Sequence, residues 1–261
     1  IISRNRFPAG SGYRADFHFQ VASGLDLKSL KLVVERPEIF KVMVNGQVIK
    51  PLPDSFWLDR NFGLYPLEKA AKVGLNTVSL VVSPFDLMAE LEPVYILGNF
   101  SVEPTSRGFI LTPAKELKVG PWKEQGLFFY GHRVSYLSFL EVTEEELRKT
   151  DFFFRARSWK GALAELAVNG QKVGYFLSPN DSLDISSYLR PGRNELSLTI
   201  YGTLKNTLGP HHLNPPPGRA WPSSFQQAPE GGQPAGTEYN VLDYGLYDFL
   251  IIEKHNKGLS Q

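Results

Sequence analysis

Two sets of residues recur along this chain in the same order, and this repeat limits the possible folds most strongly. The motif VNGQV at 44–48 returns as VNGQKV at 168–173. Gly-Leu-Asn followed by TVSLVV, from residue 74, returns as Gly-Arg-Asn followed by ELSLTI, from residue 192. Self-similarity in one order indicates two copies of a single structural module.

The two predicted modules are joined by a short polar stretch. A third landmark, VYILGNF near residue 94, matches LYDFLII at 246–252, so each copy is expected to close with a comparable strand. The sequence EPTSRG at 103–108 carries the Pro and Gly residues typical of a linker. The predicted domains are therefore 1–103 and 104–261.

The local patterns predict strands rather than helices. Asn-Gly between apolar runs is the strongest short hairpin signal, because both residues accept positive φ. Segments such as ADFHFQV at 15–21 alternate apolar and polar residues, as half-buried strands do. TEEELRKT at 143–150 could form a short turn capped by Thr143, with Glu146 at the box position, although a solvated crossover between strands is favoured. The predicted fold class is all-β, with two tandem β-sandwiches.

Composition excludes several functions. The net charge of +1 gives no basis for binding nucleic acid or an anionic membrane. No run of 18 apolar residues occurs, so no transmembrane helix is predicted. The absence of cysteine excludes disulfides and thiol chemistry. The chain begins at Ile1 without an initiator Met or a signal-peptide pattern, which suggests a piece of a longer polypeptide.

One connection is elaborated in the second copy alone. Between equivalent strands the first copy has 11 residues, 83 to 93, and the second has 44, 202 to 245. Structureless loops of this length are usually functional or disordered. Disordered segments avoid aromatic residues, whereas this one contains Trp221, Phe225, Tyr239 and Tyr244. We therefore expect an ordered loop that forms one wall of a site.

Several of these segments resemble a known group of domains. They are WKEQGLFFYGHRVSY at 122–136, AELAVNGQKVG, LRPGRNELSLTIYG and NTLGPHH, together with YPLEKAAKVGLNTVSLVV and EPVYILGNFSV in the first copy. The chain resembles, over nearly its whole length, the galactose-binding-like sandwich domains appended to large bacterial glycoside hydrolases. These include the sugar-binding domain of family 2 enzymes and the sandwiches of family 106 rhamnosidase-like proteins.

The resemblance implies two antiparallel jelly-roll sandwiches that work on polysaccharide in a bacterial, extracytoplasmic setting. No catalytic barrel is present in this sequence, so the chain is expected to be an ancillary, non-catalytic part with its catalytic domain elsewhere. The first domain would then serve as a spacer or docking platform, and the second would bind poly- or oligosaccharide.

The candidate ligand-binding residues lie in or beside predicted loops of the second copy. Flat aromatic faces can stack on the apolar face of a sugar ring, beside polar groups that bond its hydroxyls. Packing in the core or at a loop base is the competing interpretation for each of them, and Trp221 is the preferred sugar platform. The candidates are Trp122, Tyr130, Trp159, Trp221, Tyr244, His211 and His212.

No metal or catalytic residue is predicted. His211 and His212 are adjacent, and neighbours in an extended segment point to opposite sides, so a shared zinc ion is disfavoured. No cofactor is expected, although a calcium site remains an alternative; the residues that could supply it are Asp181, Asp184, Asp243 and Asp248. Glycoside hydrolysis needs two facing carboxylates, and no pattern here singles out such a pair.

Two alternatives to carbohydrate binding stay open. In the first, the domains are purely structural, and the long loop packs on a separate catalytic domain and completes its active site. In the second, the chain is a sandwich lyase or hydrolase in its own right, with converging Tyr, His and Arg residues in a cleft.

Overall fold

The protein is all-β, as the sequence predicts. The computed structural model describes residues 7–179, 181–212, 219–225 and 229–255, and of His255 only the main chain. Strand accounts for 45% of the structure and helix for 11%. Several antiparallel sheets build it, which confirms the predicted fold class. Contacts divide the chain into two units: unit 1 extends to Lys115 and includes Ala235–Thr237, and unit 2 contains Glu116–Pro234 and the residues from Glu238 onward.

Unit 1 consists of two sheets. Within the described residues its strands are β1 (Tyr13–Val21), β2 (Lys31–Glu35), β3 (Lys41–Val44), β4 (Gln47–Val48), β5 (Phe56–Trp57), β6 (Asp59–Pro66), β7 (Gly74–Val82), β8 (Tyr95–Leu97), β9 (Phe100–Pro104) and β10 (Phe109–Pro113). One sheet has the order β4-β3-β7-β1-β10-β9 and the other the order β5-β6-β2-β8. A 3-10 turn, Leu27–Ser29, precedes β2.

Strand β10 explains why the observed division falls after Lys115 and not at residue 103. β10 pairs with β9 in antiparallel fashion and with the end of β1 in parallel fashion, where Gln20 faces Ile110. A stretch that resembles a linker in sequence is therefore followed by a strand that completes the sheet of unit 1.

Unit 2 repeats this architecture. Its strands are β11 (Gly120–Pro121), β12 (Arg133–Val142), β13 (Thr150–Lys160), β14 (Leu163–Val168), β15 (Gln171–Phe176), β16 (Ser182–Asp184), β17 (Gly192–Tyr201) and β18 (Gly245–His255). They form sheets in the orders β11-β18-β13-β16 and β12-β17-β14-β15. The second order matches β1-β7-β3-β4 of unit 1, strand for strand, and it supports the repeat inferred from sequence.

Both Asn-Gly turns have the predicted geometry. The φ angles are 51° at Asn45 and 84° at Gly46, and 51° at Asn169 and 76° at Gly170. Two successive positive φ angles are the mark of a type I′ turn, whose twist matches that of the strands it connects. The repeated VNGQ motif therefore forms equivalent hairpins, β3–β4 and β14–β15.

The helices of unit 2 are short. Helix α1 (Glu144–Lys149) is capped by Thr143, whose hydroxyl accepts a hydrogen bond from the main chain of Glu146 in a capping box. From the sequence alone, this is the alternative that is favoured less than a solvated crossover. Helices α2 (Lys205–Leu208) and α3 (Pro222–Phe225) lie between β17 and β18. The 3-10 turns are Trp122–Gln125, Ser186–Tyr188 and, partly within unit 1, Gly236–Glu238.

Candidate functional site

The long connection of unit 2, residues 202–245, is the main departure from the repeat. It joins β17 to β18 and contains α2 and α3. Its residues 213–218 and 226–228 lie outside the described part of the chain. The described parts within unit 2 form an arm that leaves β17, an exposed turn around α3, and an arm that returns to β18.

Asn206 ties the two arms together. Its side chain is buried, and its Nδ2 donates to the carbonyl of Leu242 at 2.9 Å. The main-chain N–H of Leu242 donates in return to Asn206 Oδ1 at 2.7 Å. One amide thus satisfies both main-chain groups of a residue 36 positions away, in the way a strand partner would.

Lys205 strengthens the same junction. Its Nζ donates to the carbonyls of Pro210 and Asn240, each at 2.8 Å. Burial lowers the pKa of this ammonium group, because removal from water disfavours the charged form. The two carbonyl acceptors partly replace the lost hydrogen bonds to water, and through them Lys205 links the two arms of the connection.

His211 is part of this framework. Its Nε2 lies 2.8 Å from the carbonyl oxygen of Asn206, and since a carbonyl only accepts, Nε2 carries the proton. The ring centre lies 5.2 Å from that of Phe129 and 6.1 Å from that of Tyr239. Burial lowers the pKa of His211 below its usual value. His211 therefore belongs to the packed base of the connection.

His212 has a different environment. Its ring packs edge-on against Tyr239, with centres 4.7 Å apart, while the residue as a whole is exposed. Burial by its neighbours lowers the pKa of His212 as well. The two adjacent histidines therefore both contact Tyr239, but His211 is half-buried and His212 is exposed to solvent.

The base of the connection is joined to the segment that leads into β12. Thr207 Oγ1 donates to the carbonyl of Phe129 at 2.8 Å, and the N–H of Gly202 donates to the carbonyl of His132 at 2.7 Å. Gly131 is needed at this contact, because a Cβ there would lie 2.2 Å from the carbonyl oxygen of Thr203. The candidate segment 122–130 and the connection 202–245 therefore meet in the structure, through Phe129 and Thr207.

Three of the candidate residues have buried side chains. Trp122 is 2% exposed, and its Nε1 donates to the hydroxyl of Tyr136 at 2.8 Å. Tyr244 packs against Trp122, and its hydroxyl lies 2.6 Å from Thr203 Oγ1. Trp159 belongs to the same hydrophobic core. None of these rings has a free face for stacking on a sugar, so their observed role is the packing interpretation raised above.

Besides His212, two candidates face solvent. Trp221 is 68% exposed and Tyr130 is 36% exposed. Phe225, which the candidate set leaves out although it lies in the same loop, is 52% exposed. Trp221 precedes α3, and its main-chain N–H and carbonyl both bond to Ser224, at 3.3 Å to Oγ and 2.8 Å to N respectively. The exposed indole therefore projects from a hydrogen-bonded turn.

The residues Lys205, Asn206 and Thr207, whose hydrogen bonds hold the base of the connection, cannot be recognised as structural from the sequence. Asn206 and Thr207 begin the NTLGPHH stretch that carries part of the resemblance, and Lys205 precedes it, but nothing in a polar Lys-Asn-Thr run signals burial. Only their partners, 35 or more positions away for the first two, show that they are structural.

The carboxylates near the site are engaged in ion pairs. Asp243 lies 2.6 Å from Lys123 and 3.4 Å from Lys160, and the hydrogen bond from Lys123 is the main cause that lowers the pKa of Asp243. Asp248 pairs with Arg157 at 3.3 Å. Asp181 and Asp184 accept main-chain bonds from Ser178 and Ser186. In the described residues no three acidic, His or Cys side chains converge as a metal site, so no group of ligands supports the calcium alternative there.

None of the helices that the structure describes has the length and apolar character needed to cross a membrane. No protein-family model matches the sequence, and no curated protein matches it.

Comparison with solved structures finds glycoside hydrolases. A rhamnosidase from Novosphingobium sp. PP1Y is 16% identical with a TM-score of 0.37, over 92% of this chain and 25% of the rhamnosidase. A β-D-glucuronidase of Dictyoglomus thermophilum is 16% identical with a TM-score of 0.34, over 61% of this chain and 27% of that one. A β-D-mannosidase of the same organism is 14% identical with a TM-score of 0.33, over 60% and 22%.

The chain therefore spans between 22% and 27% of the length of these three enzymes. All three TM-scores are below 0.5.

Proposed function

We propose that unit 2 is a non-catalytic carbohydrate-binding module, which binds glycan at the turn around α3. The observation that carries this proposal is the exposure of Trp221, 68%, on a hydrogen-bonded turn of a connection whose base is also hydrogen-bonded. Such an exposed indole offers a flat apolar face, and aromatic faces of this kind suit the C–H face of a pyranose.

The surroundings of Trp221 supply the polar groups that a sugar also needs. Arg219 and Ser223 flank the indole in sequence and are exposed. Their guanidinium and hydroxyl groups can donate hydrogen bonds to ring hydroxyls, and this mixture of one apolar face with a few polar groups is typical of small-ligand sites. Affinity at a single shallow site would be modest, and the gain would come from holding an attached enzyme near its polymer.

The sequence resemblance suggests the larger protein in which this module works. We propose that the chain is an accessory part of a bacterial, extracytoplasmic glycoside hydrolase that degrades polysaccharide, with catalysis supplied by another domain. Unit 1 would act as a spacer or docking platform. The ligand would be a poly- or oligosaccharide.

A glycan array followed by calorimetry of the whole chain tests the proposal. We expect saturable binding to at least one glycan, and we expect Trp221→Ala to abolish it, because truncation removes the stacking face. Phe56→Ala is the matched control, since Phe56 is also an exposed aromatic but belongs to unit 1 and not to the connection. Binding that survives Trp221→Ala would show that another surface holds the glycan.

A structural role is the second candidate, and the joint exposure of Trp221 and Phe225 on one short turn favours it. Adjacent exposed apolar side chains often mark a surface that another domain covers. In that case the array would show no binding, and a separately produced catalytic domain would bind the chain in a manner that Trp221→Ala and Phe225→Ala both weaken.

A further inference from the structure

Strand β12 has one edge that no described strand occupies. It is the last strand of the sheet β12-β17-β14-β15, where it pairs with β17 along its whole length. The Gly202 N–H donates to the His132 carbonyl, so the main-chain groups of His132 point toward the strand that pairs with β12. The direction of the main-chain N–H and C=O groups alternates from one residue to the next in an antiparallel ladder. Those of Ser135, Leu137 and Phe139 therefore point away from β17. The strand thus presents a row of donors and acceptors at its free edge.

The side chains on the outer face of β12 are unusually apolar for an edge strand. Leu137 is 62% exposed and Phe139 is 50% exposed. The guanidinium carbon of Arg193 lies 3.7 Å from the ring centre of Phe139, so one face of that ring is already covered within the sheet. Exposed apolar residues along a free edge favour pairing with another strand.

The equivalent strand of unit 1 is β1, whose corresponding edge is partly occupied because β10 pairs with Gln20 and Val21. Phe19 faces Asn76 across β1 and β7, as Leu140 faces Asn194 across β12 and β17. This register makes Asp16 the counterpart of Leu137, and Arg14 and His18 the counterparts of Ser135 and Phe139 respectively.

Arg14 and Asp16 are joined by an ion pair of 2.9 Å. Charged side chains of this kind keep edge strands from associating. Two copies of one module therefore differ at this face: the first is charged, and the second has a leucine and a phenylalanine.

We propose that β12 is an interface between two copies of this chain, in which the two β12 strands pair in antiparallel fashion about a two-fold axis at Leu137. In that register Leu137 meets Leu137 of the second copy. Ser135 faces Phe139 of the second copy, so a small side chain meets a large one. Arg133 faces Glu141 of the second copy, so opposite charges meet at both ends.

This self-complementary pattern is what identifies the partner as a second copy. A two-fold interface requires one surface patch to complement itself, and opposite-charge pairs directly across antiparallel strands are favourable. The main-chain groups also fit, because the same residues, Ser135, Leu137 and Phe139, would face each other across the axis with their donors and acceptors turned inward.

A cleft beside β12 supports the same assignment. It has a volume of about 520 Å³ and lies within unit 2, between residues 116–119 and residues 134–138 of β12. Core side chains reach its wall, among them Phe154, Leu198 and Phe249. The sandwich is therefore incompletely closed along β12, and a second strand beside β12 would cover apolar side chains as well as main-chain groups.

Sedimentation velocity of the whole chain over a range of concentrations tests the proposal. We expect a reversible dimer, and we expect Leu137→Lys to raise its dissociation constant at least about tenfold, since two ammonium groups would meet at the axis. Leu177→Lys is the control: Leu177 is an exposed leucine of the same unit outside β12, and its substitution should leave the dimer unchanged. Circular dichroism would establish that both variants fold.

A charge exchange separates this register from any other association. Arg133→Glu alone should weaken the dimer, because it places two carboxylates opposite each other at each end. Combined with Glu141→Arg it should restore the dimer by recreating the opposite-charge pairs in reverse. A chain that stays monomeric at every concentration, or a dimer that Leu137→Lys does not affect, would overturn the proposal. These readouts are independent of glycan binding.

Discussion

Asn194 accepts a hydrogen bond of 2.8 Å from the side-chain amide of Asn169, at the position where the Asn-Gly hairpin of unit 2 meets strand β17. Asn45 and Asn76 make the same contact in unit 1, also at 2.8 Å. In each pair the first asparagine begins a type I′ turn, and the second is fully buried. The two repeated sequence landmarks are therefore in direct contact within each unit.

We expect Asn194→Ala to destabilise unit 2 by roughly 2–4 kcal/mol. Asn194 accepts from the main chain of Arg190 and donates to the carbonyls of Arg190 and Gly192, in addition to its bond with Asn169. Alanine would leave these buried groups without partners, and an unpaired buried polar group costs more than a hydrogen bond contributes. Urea denaturation would measure the loss.

Asn99→Ala is the matched control for that experiment, since Asn99 is exposed and the same atoms are removed. The equivalent change in unit 1, Asn76→Ala, should destabilise unit 1 to a similar extent, because Asn76 bonds to Lys72 and Gly74 in the same pattern. An Asn194→Ala protein as stable as the Asn99→Ala protein would show that the network contributes little.

The hydrogen bonds between these asparagines also show which features of the fold can be predicted from the sequence alone. The spacing of VNGQ and Gly-X-Asn repeats, so the pattern predicts two modules and two hairpins before any contact is known. Local turn chemistry is encoded within four residues, and for this reason the turns at Asn45 and Asn169 could be predicted.

Burial could not be predicted in this way, as the two loop tryptophans show. Trp122 and Trp221 both lie next to proline outside the long strands, yet one is buried and the other exposed. Trp122 is buried because Tyr136 and Tyr244 pack on it, and Tyr244 is distant in sequence. The division by contacts falls after Lys115 for the same reason, since β10 pairs with β1 from the opposite end of that unit.

The lowered pKa of His211 predicts that the stability of the folded protein depends on pH. Its pKa is lowered by burial in the folded protein, so between the folded and unfolded pKa values the unfolded chain binds more protons. Stability is therefore complete above the ordinary histidine pKa of 6.5 and should fall as the pH decreases below that value. His212 is shifted in the same direction and should contribute to the same loss.

Thermal unfolding of His211→Gln and His212→Gln at several pH values between 7 and the acid range would separate the two contributions. We expect the stability of His211→Gln to depend less on pH than that of the unsubstituted protein. We also expect the flattening to exceed that of His212→Gln, because His211 is the more buried ring with a main-chain partner. Equal pH dependence in all three proteins would show that His211 is not responsible.

Asn206 provides a way to loosen the long connection without touching the sandwich core. Asn206→Ala removes the two bonds to Leu242 and leaves those main-chain groups to find other partners, at a cost of roughly 1–3 kcal/mol for the buried junction. Since the arms would separate more readily, limited proteolysis should cleave the connection faster, and hydrogen exchange at Leu242 should accelerate while that of β17 stays slow.

The proposed glycan site at Trp221 lies on the same connection, so the affinity of the protein for glycan should also fall in Asn206→Ala. Asn99→Ala is the control, because Asn99 is an exposed asparagine outside the connection. Unchanged protection at Leu242 in Asn206→Ala would mean that Lys205 and His211 alone hold the two arms together.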